Sequence, residues 1–204
     1  MRLGFGKPRV RLILASSSPR RAEILRHAGF TFDVYRTHTD ETPRPHESAR
    51  AHVRRIALAK AHLAARREAR RNRPAVVIGA DTVVVVHGEI FGKPADVKEA
   101  RRMLRLLSGR THRVLTGVCI VRVPDGREIE DVETTRVRFL KLTNQEIDDY
   151  IATGEPFDKA GGYGIQGIGG RFIASIEGCH FNVMGLPLSR VWSMLREVGY
   201  PGMK

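Results

Sequence analysis

Two β-branched runs, Ala75–Ile78 and Val83–Val86, flank the short segment Gly79-Ala-Asp-Thr82 and do most to constrain the fold. Unbroken apolar runs of this length read as buried strands, and a buried sheet needs helices to cover it. The sequence supplies them. Ser48 to Arg71 reads as a helix with apolar Val53, Ile56, Ala57 and Leu63. Ala100, Met103, Leu104 and Leu107 follow the i, i+3, i+4, i+7 pattern of an amphipathic helix closed by Ser108-Gly109. Thr143 with Glu146 forms a capping box for a helix through Ile151, ended by Gly154 and Pro156. Leu188, Val191, Trp192 and Leu195 make a last helix, stopped at Gly199. Further strands are expected at Leu12–Leu14, Phe172–Ile176, and in a hairpin of Val114–Val123 with Val132–Leu140 through Pro124-Asp125-Gly126. Strands and helices that alternate around a central hairpin predict an α/β fold with a mixed sheet.

At 204 residues the chain fits one large domain or a two-lobed one, and it contains neither an internal repeat nor a low-complexity linker. No apolar run approaches the roughly 18 residues of a membrane span. Met1 to Ala15 places basic residues ahead of an apolar run, yet Leu12-Ile-Leu-Ala15 falls short of the roughly 7–15 residues a secretory signal requires. The two cysteines, Cys119 and Cys179, lack metal-ligand spacing, and Cys119 reads as a small core residue. A cytoplasmic, reducing location is the expectation. The formal net charge of +13 is concentrated at one end: residues 1–73 carry 18 Lys/Arg against 6 Asp/Glu. Such a segment can meet nucleic acid, an anionic surface or an anionic small molecule. Arg66, Arg67, Arg70, Arg71 and Arg73 read as a solvated helix face, because no aromatic residues interleave with them as on a base-stacking platform.

Three segments carry the groups that do chemistry. In Leu14-Ala-Ser-Ser-Ser-Pro-Arg-Arg21 a strand ends in small hydroxyl residues and opens onto a helix whose cap is Ser18 and whose first residue is Pro19. Free amides and the positive end of the helix dipole favour an anion there, and Arg20 and Arg21 sit in the turn where the dipole disfavours cations. A plain Ser/Pro cap is the alternative. In Gly79-Ala-Asp-Thr82, Asp81 follows a buried run where a strand is expected to leave the sheet, so it serves either as a reactive carboxylate or as an Asx turn. The segment Asp158-Lys-Ala-Gly-Gly-Tyr-Gly-Ile-Gln-Gly167 packs glycines, which permit positive φ and close approach of amides to a ligand, around Asp158, Lys159 and Gln166. Lys60, four residues beyond Ile56, lies on the apolar stripe of its helix, either for function or to run its stem past the core edge. None of the eight histidines has metal-site spacing, and His52 and His62 read as solvated residues of the basic helix.

Together the three segments resemble the Maf family of nucleotide pyrophosphatases, from about Leu12 to Trp192. The resemblance implies a mixed α/β sheet (Maf / ITPase-like) in two lobes around a central cleft, spanning residues 1–204 as one domain and often dimeric. It implies Asp81 as catalytic base, with Arg20, Thr82 and Gln166 bearing on substrate choice. Gln166, in Tyr163-Gly-Ile-Gln-Gly167, matches the branch that acts on dTTP and UTP rather than the sister branch associated with 7-methyl-GTP. Its amide offers a donor and an acceptor to a pyrimidine edge, or else bonds its own loop. Ser16, Arg20, Arg21, Lys60, Lys93 and Lys159 match the positions that hold the triphosphate, and Glu41, Asp81 and Asp158 those that hold Mg²⁺ or Mn²⁺. Gly178-Cys-His-Phe-Asn-Val183 departs from the family's more tyrosine-rich stretch, which puts that side of the pocket, or a subunit contact, in doubt. A nucleic-acid-binding regulator linked to septum formation, and a nucleotide sensor without turnover, are the rival readings.

Overall fold

The computed structural model describes residues 10–202, so the basic residues Arg2, Lys7 and Arg9, and most of the signal-like start weighed above, lie outside the described residues. Six strands run side by side in the order β2 (Asp33–Tyr35), β1 (Arg11–Ala15), β3 (Ala75–Val86), β5 (Thr111–Val123), β6 (Glu128–Phe139) and β7 (Ile173–Glu177). The seventh, β4 (Glu89–Phe91), pairs with the far end of β3. β1 is parallel to β2 and β3, and every other pairing is antiparallel, which makes the expected mixed sheet.

Helix α2 (Ala49–Arg70) covers one face, its first turn capped by the Ser48 hydroxyl accepting from the Ala51 amide. The other face is covered at one end by α1 (Pro19–His27) and α6 (Leu188–Glu197), and at the other by α3 (Val97–Leu107) and α4 (Asn144–Ala152). The expected Thr143–Glu146 capping box is formed at α4, and all four apolar positions of α3 are buried. Among the described residues no helix is long and apolar enough to cross a membrane.

The contact between α2 and the sheet is unusually close, and two glycines make it so. A Cβ on Gly79 would run into the Ala57 carbonyl, and one on Gly117 into the Val53 carbonyl. With Ala57, Ala61 and Ala64 on its inner face, α2 lies directly on β3 and β5.

Several expectations change. The 12-residue β3 runs unbroken through Gly79-Ala-Asp-Thr82, because its pairing to β5 continues across it, with Asp81 opposite Gly117. Asp81 is therefore neither at a strand end nor in an Asx turn. The opposite edge of β3 explains why it remains accessible. β1 pairs only as far as Gly79 and β4 begins only at Val84, so Ala80–Val83 face a notch between two neighbours. The hairpin strands β5 and β6 start three and four residues earlier than hydrophobicity indicates, since Thr111, Arg113, Glu128 and Glu130 are polar. The short edge strand β2 and the five-residue α5 (His180–Met184) lack enough residues to show a period.

Candidate functional site

Alternation along β3 points Asp81 toward α2 and Thr82 toward the opposite face. On the α2 side, Lys60 is 5% exposed and donates to Asp81 Oδ1 at 2.8 Å while its Nζ also lies 2.6 Å from Glu41 Oε1. A lysine removed from water needs such compensation. The core-edge reading of Lys60 gives way to an ion bridge between a loop carboxylate and a strand carboxylate. Burial pushes the Glu41 carboxyl up, but Lys60, Arg21 and Lys93 outweigh it and hold it below its ordinary range.

Arg21 fills the notch itself. The residue is 7% exposed, and its guanidinium donates to the carbonyls of Ala80 at 2.9 Å and Gly185 at 2.7 Å, and to the hydroxyls of Ser16 at 3.1 Å and Thr82 at 3.0 Å. It thus does for the open edge of β3 what a neighbouring strand would have done. The Thr82 hydroxyl also meets Thr116 Oγ1 at 2.9 Å. Ser16 Oγ accepts from the Ser18 amide, so the bend before α1 is tied by Ser16, while the Ser18 side chain makes no cap bond.

Arg20 reaches the other way. Its Nη1 lies 2.5 Å from Asp158 Oδ2 and its Nη2 donates to the Asp158 carbonyl at 2.8 Å, joining the serine segment to the glycine-rich segment across 138 positions of sequence. Lys159 Nζ completes the cluster, 2.6 Å from Asp158 Oδ1 and 2.8 Å from the Glu155 carbonyl. Burial raises the Asp158 carboxyl, and Lys159 and Arg20 more than reverse that.

The glycine-rich segment is not one loop. Short 3-10 turns at Glu155–Asp158 and Ala160–Gly162 fold it back, with Gly161 at φ 70° where a Cβ would press into Val84. Glu155 buckles it from behind: Oε2 accepts from the Ile168 amide at 2.8 Å, and Oε1 from the Gly169 amide at 3.2 Å and the Tyr150 hydroxyl at 2.9 Å. Sequence reasoning missed Glu155, although an acid placed just before a run of free amides is the available signal. The buckle leaves Gln166 exposed at the mouth of the cleft.

The resulting cleft has a volume of about 470 Å³. Ser16, Arg20, Arg21, Glu41, Lys60, Asp81, Thr82, Lys93, Asp158, Lys159 and Gln166 all line it, so every residue singled out from the sequence is brought to one place. His52 lines it too, contrary to the expectation of a solvated histidine: it is 3% exposed and faces Asp81, whereas His62 does lie outside, against Glu128. The signal was present, since His52 lies four residues before Ile56 on the same stripe as Lys60. Among the described residues no three His, Cys, Asp or Glu side chains are preformed as a metal cage. Glu41 and Asp81 nonetheless converge on one ammonium from two sides, an arrangement that suits a cation taking one or two protein carboxylates and the rest of its oxygens from phosphates and water. The departure at Gly178–Val183 forms α5, whose Asn182 is fully buried and donates to the Val114 carbonyl and Thr135 hydroxyl at 3.0 Å.

Sheet, notch and cleft together define an α/β protein with a pocket of mixed charge set at an interruption in the edge of its central strand. The chain belongs to the Maf-like protein family, whose profile matches residues 11–198. It is 52% identical over 190 residues to a dTTP/UTP pyrophosphatase of Symbiobacterium thermophilum, covering 93% of this chain and 95% of that one. It is 49% identical over 195 residues to a dTTP/UTP pyrophosphatase of Anaeromyxobacter sp. (strain Fw109-5), covering 94% and 91%.

Proposed function

We propose that the protein is a nucleoside triphosphate pyrophosphatase that hydrolyses the α–β phosphoanhydride of dTTP and UTP, releasing the monophosphate and pyrophosphate and clearing such nucleotides from the pool. The observation that carries this reading is the convergence of Asp81 and the cations of both chain ends in one cleft, and the names of the relatives agree with it. The cleft is read as lying between two lobes of one domain.

In this reading Asp81 takes the proton of the attacking water through Oδ2, because Oδ1 is held by Lys60. Lys60 fixes the carboxylate's orientation. Arg20, Lys93 and Lys159 bind the triphosphate and stabilise charge on the departing pyrophosphate, while Arg21 and Ser16 hold the notch. Arg20 and Lys159, which pair with Asp158, would turn toward the phosphates, and Asp158 would then be free to help hold a cation. Glu41 and Asp81, with Asp158 at the rim, would hold a divalent cation, Mg²⁺ or Mn²⁺, which supplies charge neutralisation on the phosphates. Thr82 and Gln166 read the base.

Pyrophosphate release from dTTP, UTP, CTP, GTP and 7-methyl-GTP, with Mg²⁺ or Mn²⁺ and an EDTA control, tests the assignment. Metal-dependent release favouring dTTP and UTP is expected. Asp81→Asn should lower kcat by at least about 100-fold while the variant, with Glu41 still compensating Lys60, remains folded at the assay temperature. A variant that keeps turnover removes Asp81 from the mechanism, and preference for 7-methyl-GTP overturns the role given to Gln166.

A further inference from the structure

His52 is a buried, polar residue of the cleft to which the mechanism above gives no task. Its ring is fixed from behind. Glu47 Oε2 lies 3.1 Å from Nδ1, and Glu47 is itself clamped by Arg55, whose Nε and Nη2 donate to its two oxygens at 2.6 and 2.7 Å. The Glu47 side chain is 8% exposed, and the Arg44 amide donates to it as well. Arg55, above all, holds the Glu47 carboxyl far below its ordinary range, so Glu47 is an acceptor at any working pH. Arg55 Nη2 also lies 3.4 Å from Nδ1 and can only donate there, so Nδ1 faces a donor as well as an acceptor. The acceptor is the nearer of the two, at 3.1 Å, and in the neutral tautomer that donates to it from Nδ1 the ring presents the lone pair of Nε2.

That lone pair faces the reactive side of the site. Nε2 lies 3.9 Å from Asp81 Oδ2, the oxygen that Lys60 does not hold. Two acceptors at this separation are too far apart to bond each other, but both are within reach of the two hydrogens of one water molecule. Such a water would donate to both and present its lone pair to the cleft.

We propose that His52, anchored by Glu47, is a second residue that positions the attacking water, its Nε2 accepting one hydrogen while Asp81 Oδ2 accepts the other. The step balances as in the reading of Asp81 as base, on which this inference rests. The water oxygen bonds to the α-phosphorus, and the proton it loses passes to Asp81. The bond from that phosphorus to the bridging oxygen breaks, and pyrophosphate leaves with the electron pair. His52 keeps its hydrogen bond throughout and takes no proton in the step.

The test compares side chains that place an acceptor differently. Gln sets an oxygen near the position of Nε2, Asn sets one near Nδ1, and Phe sets none. For dTTP, His52→Phe is expected to lower kcat about 10- to 100-fold with KM within about threefold, as loss of water positioning requires. His52→Gln is expected to return to within about fivefold of wild type, and His52→Asn is not. Tm measured on each variant separates packing from positioning. Wild-type kcat in His52→Phe, or Asn performing as well as Gln, overturns the proposal. Should the Phe variant not fold, the Gln-to-Asn ratio alone decides it. The two readings fail separately: an active wild type with a dead Asp81→Asn and a fully active His52→Phe sinks only this inference. A wild type that releases no pyrophosphate from any nucleotide sinks both.

Discussion

Lys60 and Arg21 are both cations with almost no exposed surface, yet they are compensated differently. Lys60 is held by charge, between Glu41 and Asp81. Arg21 is held by four neutral acceptors in the fixed fork of its guanidinium, with burial lowering its pKa. Arg21→Lys keeps the charge but cannot reproduce that fork. It should leave the Ala80 carbonyl or its neighbours without a donor and cost about 2–4 kcal/mol, measurable as a fall in the urea midpoint at constant m. Such a loss would mark Arg21 as the support of the notch, beyond any contact with phosphate. At this scale the sequence was partly legible. A lysine on an apolar stripe announced itself, whereas His52, on the same stripe, was hidden by its neighbours Arg50, Arg54 and Arg55, which gave the turn the look of a solvated face.

At the scale of elements, the geometry of the site depends on how closely α2 lies on the sheet. His52, Ile56 and Lys60 project along one side of the helix, and Gly79 and Gly117 let Val53, Ala57 and Ala61 settle beside them. Gly117→Ala would push its methyl into the helix backbone, which has no flexible end to give way. A loss of about 3 kcal/mol is expected in chemical denaturation, together with reduced kcat as Lys60 moves from Asp81. Thr143→Ala provides the contrast. It removes a capping box at the far end of the molecule and should cost about 1 kcal/mol with kcat unchanged. The capping box could be read from four residues. The helix–sheet spacing could not, because Gly79 and Gly117 are 38 positions apart and become one feature only when β3 and β5 pair.

For the whole molecule, charge and pH give two expectations. The arginines at the end of α2 are exposed, as the sequence indicated, and Arg67 stacks over the Tyr35 ring at 4.5 Å. A solvated face predicts weak DNA binding that vanishes at moderate salt, and tight binding that persists there would revive the nucleic-acid reading. Stability should fall on the acid side. His112 is enclosed by Phe139 and Tyr163, its Nε2 against the Tyr163 hydroxyl at 2.7 Å, and burial lowers its pKa to about 4. In the unfolded chain it takes up a proton as the pH drops through about 6.5, while the folded protein resists until about 4. Its contribution is therefore fully present above about 6.5 and is lost as the pH falls toward 4, by roughly 3 kcal/mol. Urea midpoints at pH 7.5 and 4.5 should show this loss, and His112→Phe should make the difference smaller.

The sequence by itself determined the mixed α/β class, the helices with strong period or caps, and every side chain nominated for the cleft, because periodicity, capping and charged groups beside glycines are local properties of the chain. The tertiary structure decided where the reactive edge lies. Asp81 is available because β1 stops and β4 has not begun, a fact about three strands that no one of them contains. It also decided that Arg21 supports that edge, that Glu155 buckles the glycine-rich segment, and that His52 faces Asp81. Each of these is a contact between distant segments, and such contacts exist only once the sheet has brought the segments together.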